Sequence, residues 1–166
     1  TTLFRSTPRT NRQLECLLNL CDVSPVEIDI DKLLSNDQEL TSVLRSINRN
    51  LRAGVDTVIF TSRRLVTSDS KEKNLLLSAQ ISDKLALMLQ EVYRPKYMIV
   101  KGGMTSYDIA TKSLRAKGAL ALGQILPGIP IWQLDAESSA PGMTFIPFPG
   151  NQGTATSLSD LLTILK

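Results

Sequence analysis

YMIVKGGMTSYD, residues 97–108, decides the fold. A short apolar run ends in two adjacent glycines, and a stretch of helical character follows. That order reads as a strand turning directly into a helix. Glycine lacks a Cβ, so a Gly-Gly pair at such a junction serves one of two purposes. It makes a tight turn, or it lets another molecule approach the backbone closely. The residues of this turn alone leave both readings open.

Outward from this junction, the same alternation of strand and helix recurs. Leu3 and Phe4 form a short extended segment. Leu14, Leu17, Leu18 and Cys21 share a helical stripe, which predicts a helix over about residues 10–21. VEIDI, residues 26–30, reads as a strand after Pro25. Leu40, Val43, Leu44, Ile47 and Leu51 predict a helix opened by Asn36 or Asp37 and closed at Gly54. DTVIFTS, residues 56–62, is an apolar, β-branched strand. The longest helix is expected over residues 71–93, with KYMIV as the strand after it and a helix over residues 105–116 after the glycines. Beyond Gly118, short apolar runs broken by Gly and Pro predict two or three further strands. A last helix carries Leu158, Leu161, Leu162 and Leu165 on one face, opened by Thr156 or Ser157. Strands alternating with helices imply βαβ units, hence an α/β domain layered helix/sheet/helix around a mainly parallel sheet. The late strands would add an antiparallel edge.

Composition narrows the function classes. The chain has 166 residues, suited to one sizeable domain, with 42 % hydrophobic and 21 % charged residues. Net charge is +3 and the arginines are scattered, so a concentrated nucleic-acid surface is not expected. No apolar run reaches the roughly 20 residues of a membrane span. Histidine is absent, which removes His-based acid–base catalysis, Ser-His-Asp triads and His-containing metal sites. Cys16 and Cys21 fall on different helix faces, against a mutual disulfide, and a cytoplasmic setting is expected. A chain that starts at Thr1 is expected to be one domain, residues 1–166, of a longer protein.

In open α/β sheets, ligands lie beyond the carboxyl ends of the strands. Four segments are expected to meet there: RSTPRT (5–10), TSRR (61–64), GGMTS (102–106) and PGNQG (149–153). Thr105 and Ser106 would cap the helix or offer hydroxyls to an anion. Lys101 would neutralise a phosphate or point to solvent, and Arg63 and Arg64 would contact phosphates or remain solvated. The glycine pattern is neither GxxxxGK[ST] nor GxGxxG. The carboxylates show no recognisable metal spacing, and Trp132 reads as packing.

Together, RSTPRTNRQL (5–14), FTSR (60–63), IVKGGMTS (99–106), GQILPGIPIW (123–132) and FPGNQG (148–153) resemble, in order and spacing, the C-terminal nucleotide-binding domain of the four-carbon acid sugar kinases. The likeness covers nearly the whole chain. It implies an ATP site, with Mg²⁺ arriving on the nucleotide, at Ser6, Gly102, Gly103, Met104, Thr105 and Gly150. It further implies phosphorylation of a tetronate-like sugar acid, bound by an N-terminal domain whose Asp-Asp-x-Thr-Gly motif does not occur here. Three positions depart from the family pattern. Arg5 replaces a glycine, Met104 an acidic residue, and Gln152 an aromatic or apolar one. These departures keep two other readings in view, namely a non-catalytic regulatory module and an interaction domain, the latter compatible with a homo-oligomer.

Overall fold

The computed structural model describes residues 2–4, 8–35, 37–62 and 71–166, with residues 2–4, 37–39, 71–75 and 78 described by their backbone alone. Seven strands form one sheet: β1 Thr2–Phe4, β2 Ser24–Ile28, β3 Thr57–Thr61, β4 Tyr97–Lys101, β5 Ala119–Leu126, β6 Ile129–Leu134 and β7 Thr144–Phe148. Their order is β2-β3-β1-β4-β7-β6-β5. The first five in that order are parallel, while β6 runs antiparallel to β7 and β5 antiparallel to β6. The antiparallel edge expected of the late strands is therefore present.

Helices α1 (Pro8–Leu20) and α6 (Ser157–Leu165) cover one face. The other face carries α2 (Ile30–Ser35), α3 (Asp37–Arg52), α4 (Lys71–Gln90) and α5 (Gly103–Asp108), the last running on into a π-turn, Ile109–Ser113. Strand side chains alternate between the two cores, as the pleat requires. Val58, Ile99 and Ile146 point to one, and Ile59, Met98, Val100 and Phe145 to the other. The helix/sheet/helix layering is thereby confirmed.

Local chemistry explains most boundaries. Pro8 occupies the first position of α1, where its missing N–H costs nothing, so that helix starts two residues before Thr10. Gly54, with φ of 74°, ends α3 as expected. Its N–H donates to the Leu51 carbonyl and that of Val55 to the Asn50 carbonyl, the paired bonds of a Schellman motif. Pro25 was expected to lie before the second strand, yet it sits within β2. This is tolerated because β2 is an edge strand. Residues 29–30 leave that strand, and a short helix, α2, follows. The side chain of Asp29 accepts the N–H groups of Asp31 (2.9 Å) and Lys32 (3.2 Å), which sets its first turn. The helix expected over residues 105–116 starts earlier and ends differently. It opens at Gly103, and Leu114 N–H reaches the Ile109 carbonyl (2.9 Å), the i→i−5 step of a π-turn.

The topology places a switch point at the centre of the sheet. The connection leaving β1 runs to the β2 side over one face, and that leaving β4 runs to the β7 side over the other. Chain segments leaving β1 and β4 therefore diverge and open a crevice beyond their carboxyl ends.

Phe145 is fully buried at the centre and stacks on Trp132, with ring centroids 6.4 Å apart. Phe145→Ala is expected to lower the unfolding free energy by about 3–5 kcal/mol in urea denaturation. A loss below about 1 kcal/mol would mean that this ring does not organise the core.

Candidate functional site

The site is assembled from the ends of β4 and β7. Lys101 and Phe148 are register partners, so their following turns leave the sheet side by side. Gly102 N–H donates to the Phe148 carbonyl at 2.8 Å, and the space where a Gly150 Cβ would stand lies 4.0 Å from Gly102 Cα. The two glycine turns thus touch. Gly102 has φ of 104°, which a side chain would strain. Gly103 differs: a Cβ there would meet nothing within 4 Å. Space in front of Gly103 is open, and its backbone faces that space without a side chain.

Thr105 and Ser106 do not cap the helix through their side chains. Gly102 is the residue preceding α5, with no side-chain cap bond, and both are buried. Ser106 Oγ donates to the carbonyls of Val100 (2.9 Å) and Gly102 (2.8 Å), so its hydroxyl braces the turn from beneath. Met104 points outward at 79 % exposure.

Lys101 does not point to solvent as one expectation had it. It is 2 % exposed, and Nζ donates to the carbonyls of Pro149 (2.8 Å) and Gly150 (3.0 Å). The ammonium also lies 4.4 Å from the centre of the Phe148 ring. Burial, with the nearby Arg9 charge second, pulls the Lys101 pKa down to about 8.

The start of α1 closes the rim from the other face. Arg9 Nη1 donates to the Asn151 carbonyl. Gln13, fully buried, donates Nε2 to the carbonyls of Gln152 (3.2 Å) and Thr154 (2.9 Å). The opening motif is thereby fastened to the PGNQG turn across the whole length of the chain. Gly153 is required for packing: with φ of 80°, its Cβ would stand 2.9 Å from Phe148 Cζ and from Ser157 Cβ and Oγ. Of the six residues expected to bind nucleotide, Gly102, Gly103, Met104, Thr105 and Gly150 lie on or beside this rim, while Ser6 lies outside the described residues. Arg5, Arg63 and Arg64 also lie outside them.

Two clefts flank the rim, one on each face of the sheet. One, of about 320 Å³, is mainly apolar and is lined by Gly103, Tyr107, Ala110, Trp132, Leu134 and Pro147 among others. It exists because β6 is registered to β7 only at Thr144 and Phe145, so the strands part before Pro147. The other, of about 390 Å³, is lined by Pro8, Arg9, Arg12, Gly153, Thr154 and Ala155. Among the described residues no cluster of three or more Cys, Asp or Glu side chains could hold a metal ion.

A family model described as a nucleotide-binding C-terminal domain matches residues 6–158. The chain belongs to this family. It is the C-terminal domain of the four-carbon acid sugar kinase family, in agreement with the sequence motifs. No curated protein matches the chain by sequence. Among solved structures, a DUF1537-family protein from Haemophilus influenzae aligns with a TM-score of 0.75 at 15 % identity, covering 99 % of this chain and 40 % of that one. A DUF1537 protein from Bordetella bronchiseptica, a domain-swapped dimer with bound citrate, aligns with a TM-score of 0.70 at 13 % identity, covering 95 % and 38 %. At these identities the likeness establishes the fold. The domain spans about two fifths of the length of these proteins.

The buried ammonium of this domain has a measurable signature. Lys101 carries a pKa of about 8 in the fold against an ordinary 10.5. Between those values the unfolded chain binds a proton that the folded chain has lost, so this group makes stability rise with pH. The unfolding free energy of the wild type relative to Lys101→Met is expected to stay level below pH about 8 and to increase between about 8 and 10.5. Urea titrations across that range check it, and a flat difference would mean that the ammonium does not feel its burial.

Proposed function

We propose that this domain is the ATP-binding half of a kinase that phosphorylates small sugar acids of the tetronate class. The observation that carries the reading is the open backbone at Gly103, set against the Gly150 turn at the switch point of a nucleotide-binding-family domain. A triphosphate seated on the rim would meet the peptide N–H groups of Gly103 and Met104, with no side chain at Gly103 in the way, while the Gly102 N–H stays on the Phe148 carbonyl. Thr105 forms the floor of that turn and Gly150 borders the phosphates, and the family motif adds Ser6 to the set. The apolar cleft beside Gly103 suits a purine base, with Trp132 and Tyr107 among its walls.

The residues present fit a nucleotide but not a magnesium ion of the domain's own. Its described residues bring no carboxylate cluster to the rim, and Met104 stands where the family pattern has an acid. Mg²⁺ enters this reading only as the companion of the phosphates. Bound ATP would supply the transferable phosphoryl group, while this chain's residues grip and orient the phosphates. Sugar-acid binding and the base fall, on this reading, to the part of the relatives' length that the chain does not span.

A second reading rests on β5. Residues 119–124 are all exposed, including Leu120 and Leu122, at the edge of the sheet. An apolar edge strand of this kind suits docking against another chain or domain, and a homo-oligomer formed through it would agree with the notion of an interaction surface. Light scattering of the protein and of Leu122→Lys distinguishes it, an unchanged monomer removing this reading.

For the nucleotide reading, Gly103→Val is the decisive variant. A Cβ at Gly103 would meet nothing within 4 Å, so stability is expected to change by no more than about 1 kcal/mol. ATP affinity by calorimetry is expected to fall at least about tenfold, some 1.4 kcal/mol. Wild-type ATP binding that survives the valine unchanged would refute the proposed seat of the phosphates.

A further inference from the structure

Two cations converge on one turn. Pro149, Gly150 and Asn151 present three successive carbonyls, of which Lys101 takes the first two and Arg9 the third. Arg9 comes from the first turn of α1 and Lys101 from the end of β4, on either side of the switch point. Among the described residues neither meets a carboxylate, because the ion pairs there involve Lys112, Lys117 and Lys166. A buried ammonium is costly to keep charged. Carbonyl dipoles and the Phe148 ring offset part of that cost, whereas the like charge of Arg9 adds to it. Arg12 lines the same basic cleft as Arg9, one helical turn further on. If the two cations served the fold alone, a carboxylate on the turn would neutralise them more cheaply. Among the described residues the site instead keeps two positive charges without a carboxylate partner, beside an open backbone.

We propose that Arg9 and Lys101, fastened to the Pro149–Asn151 turn, form a subsite for the terminal phosphates of the bound ligand. Arg9, which is exposed and holds the Asn151 carbonyl through Nη1, touches the anion directly with its planar guanidinium fork. Lys101 is a positioning residue: it holds the turn in place and adds its field from below. The inference rests on the nucleotide reading only for the identity of the anion, the shared chemistry being a di- or triphosphate.

Calorimetry with ATP, adenosine and inorganic pyrophosphate on the wild type, Arg9→Gln and Lys101→Met tests it. Arg9→Gln is expected to weaken ATP and pyrophosphate at least about tenfold and to leave adenosine unchanged. Lys101→Met is expected to weaken both phosphate ligands and to abolish the pH dependence described next. Wild-type ATP affinity should fall as pH rises from about 7.5 to about 9.5, because the anion favours the protonated lysine. Arg9→Gln should retain that fall. Should Lys101→Met not fold, the wild-type pH profile and Arg9→Gln still decide the matter. ATP binding equal in wild type and Arg9→Gln, with no pH dependence, would overturn this subsite and leave the nucleotide reading intact. Pyrophosphate binding as tightly as ATP, and weakened by the variants, would support the subsite and remove the nucleotide reading. No binding of either at millimolar concentration removes both.

Discussion

The rim depends on one buried ammonium. Lys101 ends the central strand β4, and its two hydrogen bonds hold the turn that leaves β7. Pro149 is half-buried and its carbonyl also accepts the Gln152 N–H at 3.3 Å, whereas the Gly150 carbonyl takes its bond from Lys101. Everything proposed for the site assumes the glycine turns at Gly102 and Gly150 in contact. A lysine suits the task because its flexible stem spans from the sheet to the turn, while its three donors serve several carbonyls at once.

A second fastening works at right angles to the first. Gln13 reaches from α1 to the carbonyls of Gln152 and Thr154, and Gly153 lets α6 and Phe148 close against each other. The first helix and the last turn are thus joined although they lie at opposite ends of the sequence. One face of the crevice comes from the opening motif and the other from the GG turn. These bridges tie together segments that the switch point sends to opposite faces of the sheet.

Much of this was legible in the residues. Alternating apolar stripes and strands gave the α/β layering, and Gly54 announced the end of α3 by its chemistry. The glycine turns stood out because only close approach or positive φ explains such pairs. Other features were hidden for definable reasons. Lys101 reads locally as a solvated residue after a strand, since nothing near it in sequence shows that Pro149 and Gly150 fold over it. The start of α2 depends on Asp29 turning back on the N–H groups that follow, which the apolar run VEIDI masks. The π-turn after α5 has no signature in hydrophobic period. Gln13 carried its signal only through the family motif, because a glutamine on a helix usually faces water. Where local pattern and tertiary partner agreed, the reading held, and where a distant partner chose the conformation, it did not.

The charges at the rim also assign labour. On the proposed function, a site that gathers cations, backbone N–H groups and glycine serves to hold an anion. Phosphoryl transfer needs little covalent participation from the protein but does need the nucleophile aligned with the phosphate. On the proposed function, this domain supplies the grip, and the alignment and base come from the opposing wall. Replacement of the family's acid by the outward-pointing Met104 then costs the grip little, because the work falls to peptide groups and to cations held in place by carbonyls. The same logic explains why the cations are clamped and not free. A mobile arginine pays conformational entropy whenever it meets an anion, whereas one already bonded to Asn151 has lost that freedom beforehand.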